Sequence, residues 1–395
     1  MGQRPSRQAW LIVAGGFLAF TVSASLMHAY TVFLLAFVDE FGWSRAEASL
    51  AYSVGQIIGG LVDRLGARRM VLLGGCLLTV GLLGSAQADA LWQVVLLYGV
   101  VMTLGANCIG LVVFVPLVSR LFVAQRGMAI SLLQSANGFG RAISAPLAQW
   151  LVDASGWRNA YLVQAGLMGL LVIPLAAMFR RAETLVPAPS PATAAASAAR
   201  SWTLGEAVRT RHFWLLFLVY MLTSIGSFLV SLHQLAFAVG QGFEPLYAAT
   251  VLGMGSLLAL PGVILTGTIS DYIGRERAAI LAYGISIVGV AAALGIGDAD
   301  QHLLLWLHAC FFGITWGARG PAITAKTADL FGGPRLGTIL GVITVGSGLG
   351  AGIGSWCAGL LFDLTGTYRP AFWLSIAAYA AGAIAFWALR KPVAR

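Results

Sequence analysis

The sequence predicts an all-α membrane protein, with twelve transmembrane helices in two pseudo-symmetric six-helix bundles. Three observations carry that prediction: a composition too apolar for a water-facing surface, twelve apolar runs of spanning length, and a pattern that recurs between the halves. Hydrophobic residues make up 58% of the 395 residues and charged residues only 10%, whereas soluble domains use about a quarter charged residues. Lipid therefore has to be the solvent for most of the surface. The net charge of +9 raises a nucleic-acid reading. The basic residues, however, sit in small groups between apolar runs, as loops at a membrane surface do. The lipid bilayer is an expected partner and nucleic acid is not.

The apolar runs are 10–37, 46–62, 69–88, 91–119, 127–152, 159–179, 212–238, 246–268, 277–297, 302–326, 336–362 and 370–389. A helix needs about 20 residues to cross a hydrocarbon core of ~30 Å, and Gly and Pro are more frequent in such helices than in soluble ones. The first run, from Trp10, lacks a small-residue cleavage site and reads as a span, not a signal peptide. Cys76, Cys108, Cys310 and Cys357 lie singly inside apolar runs with no ligand spacing, so they read as small packing residues. No metal, cofactor or nucleophile–base pair is expected, and hence no enzyme.

An even number of spans puts both termini on one side. With that side cytoplasmic, 18 of the 24 basic residues fall inside and only Arg45, Arg158 and Arg369 outside. This satisfies the positive-inside rule and predicts a multi-pass protein of a bacterial inner membrane. The longest polar break, 181–211, has the Pro/Ala/Ser-rich core PAPSPATAAASAARS (187–201), the composition of a flexible cytoplasmic linker. It separates a six-span bundle at 1–180 from another at 212–395.

The halves repeat. Gly59-Gly-Leu-Val-Asp63-Arg-Leu-Gly66 matches Gly267-Thr-Ile-Ser-Asp271-Tyr-Ile-Gly274, and Leu151-Val-Asp153 with Gly156 matches Leu361-Phe-Asp363 with Gly366. His28 in span 1 corresponds to His233 in span 7. Two such repeats about an axis along the membrane normal place a cavity at their interface near mid-bilayer. One mismatch stands out: Ser49 to Asp63 is 14 residues, and Ala249 to Asp271 is 22. Span 2 is thus short for a full crossing, which raises the question of whether it permits normal transport.

Six plus six spans, a mid-chain linker and the loop after span 2 resemble the major facilitator superfamily. Its loop pattern, G-x-x-x-D-(R/K)-x-G-(R/K)-(R/K), is met by Gly59, Asp63, Arg64, Gly66, Arg68 and Arg69, with Ala67 in place of one basic residue. A degenerate copy runs Gly267, Asp271, Gly274, Arg275, Arg277. The resemblance implies a gating role for Asp63, Arg64, Gly66 and Arg68, with Asp271, Gly274 and Arg275 as the second copy. A plain topological anchor is the alternative. Glu40-Phe-Gly-Trp-Ser-Arg45, Gly156-Trp-Arg158 and Gly317-Ala-Arg319-Gly-Pro321 resemble bacterial members of the monocarboxylate transporter and oxalate–formate antiporter group. Span 8 lacks the arginine those relatives carry, so that substrate residue does not transfer.

Charges at bilayer depth cost about 2.5–3.5 kcal/mol on insertion scales and mark functional sites. Arg141 in span 5 and Arg319 in span 10 fall near the middle of their runs, with no Asp or Glu at that depth. Guanidinium is permanently charged and grips carboxylates bidentately, so a small organic anion is the expected substrate. Bonding to backbone carbonyls across a helix pair is the alternative for each. His28 and His233 either titrate or pack. Tyr30, Asn107, Gln134, Asn137, Gln234 and Trp316 complete the candidate substrate-binding set, on spans expected to line the cavity. Spans 3 and 9 are read as lipid-facing and nearly free of strong polar groups, and Lys326 with Asp329 as a local pair. The glycine run 346–354 lacks a βαβ context and reads as close helix packing.

The sequence thus points to a secondary active transporter of a mono- or dicarboxylate working by alternating access, with a single chain as the working unit; exchange for another anion, uniport and symport with a proton are all compatible with it. A proton-coupled drug efflux carrier and a non-transporting membrane sensor are the alternatives. The first would be favoured by an embedded acid and the second by a large soluble domain, and the sequence has neither.

Overall fold

The computed structural model describes residues 7–58, 67–110, 113–114, 117–118, 121–122, 126–179, 202–331 and 336–389. Every described element is helical, and each of the twelve apolar runs contains a described helix. Nine of these helices are, among the described residues, long and apolar enough to cross a membrane on their own. One of the nine is broken at Gly156, where φ is 79° and ψ 160°, which makes two consecutive spans of it. In lipid every backbone polar group has to be satisfied internally, which favours this all-helical solution.

The chain divides into two compact units. The first comprises Met1–Trp43, Glu47–Ala188 and Pro245–Gly253. It contains α1 (Arg7–His28) and α2 (Tyr30–Phe41), α3 (Arg45–Ile58) in all but its first two residues, α4 (Ala67–Ser85), and α5 (Leu91–Val94). A π-helical stretch at Val95–Met102 joins α5 to α6 (Thr103–Cys108), and α7 is Arg126–Met178. The described part of span 2 is α3, 14 residues long. Residues 59–66, and with them the question of that span's full length, lie outside the described residues. The helix axes approach most closely where side chains vanish. A Cβ at Gly140 of α7 would stand 2.6 Å from the Thr21 carbonyl oxygen of α1.

The second unit comprises Ser44–Ala46, Pro189–Glu244 and Met254–Arg395. Its elements are α8 (Leu204–Val208), α9 (Arg211–Ser231), α10 (Gln234–Gly240), α12 (Ala259–Ile273), α13 (Arg275–Leu294), α14 (His302–Ile314), α15 (Arg319–Phe331), α16 (Leu336–Thr365) and α17 (Arg369–Ala388). The helix before α12, α11 (Pro245–Leu257), belongs mostly to the first unit. The glycine run in α16 lies on α9: Cβ atoms at Gly346 and Gly354 would stand 2.7 and 2.8 Å from the carbonyl oxygens of Phe217 and Ile225. Small residues here let the two backbones touch.

Several apolar runs are interrupted among the described residues, span 4 at Ile109 and span 8 at Leu258 among them. Span 1 breaks at Ala29, just after His28; span 7 breaks between Ser231 and Gln234, at His233; span 10 breaks between Ile314 and Arg319. The two histidines matched by the repeat therefore stand at matching helix breaks.

A buried arginine site at the break in span 10

The break in span 10 is a four-residue turn, Thr315–Ala318, in which Gly317 takes φ +75°. A residue with a Cβ is strained in that region, so glycine fits the reversal. Trp316 N donates to Gly313 O at 3.0 Å, and Gly320 N to Gly317 O at 3.0 Å, so the turn carries its own hydrogen bonds. The turn delivers Arg319 as the first residue of α15, 3% exposed.

The Arg319 guanidinium meets helices on several sides within the second unit. Nη1 donates to Ser286 Oγ of α13 at 2.6 Å and to Ala282 O at 3.4 Å; Nη2 donates to Ser227 Oγ of α9 at 3.4 Å. The rings of Tyr379 in α17 and Tyr283 in α13 lie 4.7 and 5.0 Å from its carbon. Nε is buried with no hydrogen-bond partner. The surrounding hydroxyls are themselves linked: Ser286 to Thr315 at 2.7 Å, Ser227 to Tyr379 at 3.0 Å, and Thr223 to Tyr283 at 2.5 Å. The ion pairs among the described residues involve other groups, and no described carboxylate lies within ion-pair distance of Arg319. Among the described residues, the site is one full positive charge in a shell of neutral hydroxyls and π-faces, with one backbone carbonyl at 3.4 Å. A shell of this kind offsets only part of the cost of a buried charge, and it leaves the buried Nε donor unsatisfied.

Arg141 belongs to the first unit, 9% exposed, one residue past the close approach of Gly140 to α1. It lies within electrostatic reach of His28 on α1 and Tyr52 on α3. Tyr30 is fully buried, donates to Ala48 O at 2.6 Å and packs on Tyr98 with centroids 4.1 Å apart. Its phenol is committed to that backbone oxygen. Asn107 and Asn137 are partly buried, the former with an Nδ2 lacking a partner, and Gln134 is exposed.

His233 is fully buried and uses both ring nitrogens, Nε2 toward Ser355 O at 3.0 Å and Nδ1 toward Tyr368 Oη at 3.2 Å. A carbonyl can only accept, so Nε2 carries the proton and Nδ1 accepts from the phenol. Burial raises the Tyr368 pKa above its ordinary value, which keeps that phenol a donor. His233 thus ties α9 to α16 and to the loop before α17. Gln234 is partly buried, and Trp316 packs edge-on against Phe228 at 5.4 Å.

Of the gating set, Asp63, Arg64 and Gly66 lie outside the described residues, as does the side chain of Asp271. Arg68 is exposed. Gly274 adopts φ +91° between α12 and α13. Arg275 pairs with Asp329 at 3.4 Å, and beside it Glu276 receives Lys326 at 2.7 Å. This corrects the expected local pair of Lys326 with Asp329. Both residues reach instead across to the first turn of α13, where each finds an opposite charge.

A family model for the Major Facilitator Superfamily matches residues 10–326. The chain belongs to the major facilitator superfamily. This is a family of transporters and not of enzymes, and the chain is a multi-pass membrane protein. Among curated proteins it is 26% identical to monocarboxylate transporter 13 of Rattus norvegicus over 92% of this chain and 84% of that one. It is 24% identical to the oxalate:formate antiporter of Oxalobacter formigenes over 82% of this chain and 78% of that one. Among solved structures, a mutant of the nucleoside transporter NupG superposes with a TM-score of 0.71 at 14% identity, covering 98% of this chain and 100% of that one. A bacterial homolog of the human lysosomal transporter Spinster gives 0.69 at 16%, covering 98% and 95%. At these identities the two structures speak for the facilitator fold alone.

Within that fold, the sequence located Arg319 but not its surroundings. Ser227, Ser286, Thr315, Tyr283 and Tyr379 carried no signal, because short hydroxyls and tyrosines are common in apolar helices. Span 9, read as nearly free of polar groups, supplies Ser286, Tyr283 and the Ala282 carbonyl.

Proposed function

We propose that the protein is a secondary active transporter that moves a small organic anion, a mono- or dicarboxylate, across a bacterial inner membrane by alternating access. The observation that carries this reading is Arg319: a buried guanidinium whose partners among the described residues are all neutral, with an unpartnered Nε. A carboxylate supplies the missing charge and accepts from two N–H groups at once. The names of the relatives, monocarboxylate transporters and an oxalate:formate antiporter, support the same substrate class. In this reading the functional halves are 1–180 and 212–395, joined by a cytoplasmic linker at 181–211, with both termini cytoplasmic and one chain sufficient. Arg141, within electrostatic reach of His28, is the buried positive group of the first half.

The test is uptake of labelled mono- and dicarboxylates into proteoliposomes. Wild-type protein takes up one or more of them, and Arg319→Ala abolishes this while the protein still folds and reconstitutes. Uptake by Arg319→Ala at the wild-type rate would remove the anion-site assignment.

A further inference from the structure

A second feature of the second unit lies beside the arginine site. A crevice runs between α12 and α13, with the end of α14 at its floor. Leu265 and Ile269 of α12 form one wall, Leu281 and Ile285 of α13 the other, and Ile314 and Thr315 the floor. The walls are apolar yet open, with Leu265 50% and Leu281 49% exposed.

Both walls continue beyond the crevice toward the turn at Gly274, and there their chemistry changes. Residues three or four apart share a helix face. Arg277 is four residues before Leu281 and so lies one turn further along the same face of α13. Tyr272 is three residues after Ile269 on α12. Arg277 is exposed and makes no ion pair among the described residues, in contrast to its neighbours Arg275 and Glu276. Tyr272 is 86% exposed. The feature is therefore an apolar slot that ends on an exposed cation and an aromatic ring. Tyrosines of this kind favour the headgroup level of a bilayer, and basic residues between membrane helices bind anionic lipid headgroups.

We infer that the slot between α12 and α13 binds one anionic phospholipid, with an acyl chain along Leu265, Ile269, Leu281 and Ile285 and the phosphate on Arg277. The slot is too apolar for a water-soluble anion, and an acyl chain alone would not select for Arg277. The inner end of the slot reaches the anion site. Ala282 and Thr315 line the slot, Ala282 O accepts from Arg319, and Thr315 bonds the serine that holds Arg319. A chain in the slot thus rests against the wall of the arginine site.

The experiment is native mass spectrometry of the purified full-length protein titrated with phosphatidylglycerol and, separately, with phosphatidylcholine of the same acyl chains. Wild type retains phosphatidylglycerol preferentially. Arg277→Gln lowers that retention about fivefold, the worth of one basic residue near an anionic surface, and leaves phosphatidylcholine unchanged. Leu281→Trp, which fills the slot at an exposed position, lowers both. Equal retention of the two lipids by wild type, or undiminished phosphatidylglycerol retention by Arg277→Gln, overturns the assignment. So does equal competition by glycerol phosphate, which has the charge and no chain. Thermal unfolding of both variants near wild type ensures that a loss reports on the slot and not on the fold.

Discussion

Arg319 donates to Ser286 Oγ at 2.6 Å, the shortest hydrogen bond it makes. Ser286 in turn touches Thr315 at 2.7 Å, so the arginine and the turn that presents it are fixed by one hydroxyl. Replacing Ser286 by Ala leaves Nη1 with only the distant Ala282 carbonyl. A buried donor left unsatisfied costs about 1–3 kcal/mol, so Ser286→Ala should lower the unfolding midpoint in detergent and weaken anion binding. An unchanged midpoint and unchanged binding would show that the shell does not depend on this bond.

Tyr379 and Tyr283 face the same guanidinium from two helices. A desolvated cation–π contact contributes about 0.5–2 kcal/mol. Tyr379→Phe keeps the ring and should hold Arg319 in place, whereas Tyr379→Leu should destabilise by roughly that amount. Thermal unfolding of the two variants side by side checks this, and equal loss in both would assign the effect to the phenol and its bond to Ser227.

Gly140 meets the backbone of α1 at Thr21. Gly140→Val forces those helices apart and should cost at least the ~1–3 kcal/mol typical of overpacking. Gly166, in the same long helix, has nothing within 4 Å of a built Cβ, so Gly166→Ala should be neutral. Expression yield and unfolding midpoint distinguish the two; a tolerated valine at 140 would contradict the packing described.

The spans were legible in hydropathy alone because lipid requires long apolar runs. Arg319 stood out because a charge inside such a run is costly, although a structural bond to backbone carbonyls was an equally readable alternative. Its partners did not stand out, since a helix apolar on all sides has no periodicity to say which face points inward. Ser286 and Tyr283 therefore looked lipid-facing until α13 was placed against α9 and α17. Lys326 was misassigned for a related reason: sequence spacing shows the neighbour three residues on, but not Glu276, which tertiary packing brings from 50 residues away. The break after His28 and the break at His233 were visible as matched histidines, though not as breaks.

The Lys326–Glu276 pair has side chains 15% and 16% exposed, so each charge depends on the other. Removing one partner strands the second in a poorly solvated place. Glu276→Gln and Lys326→Met should each destabilise the protein, and the double variant should recover part of that loss, a coupling that a double-mutant cycle measures. Strict additivity of the two single losses would mean the pair contributes nothing as a pair.

Calorimetric titration of purified protein with a matched acid and its amide, for wild type and Arg319→Gln, measures the central claim directly. The account predicts heat of binding for the acid and none for the amide in wild type, and loss of the acid signal in Arg319→Gln. Equal binding of acid by the two proteins, with Arg319→Gln folded, would contradict it.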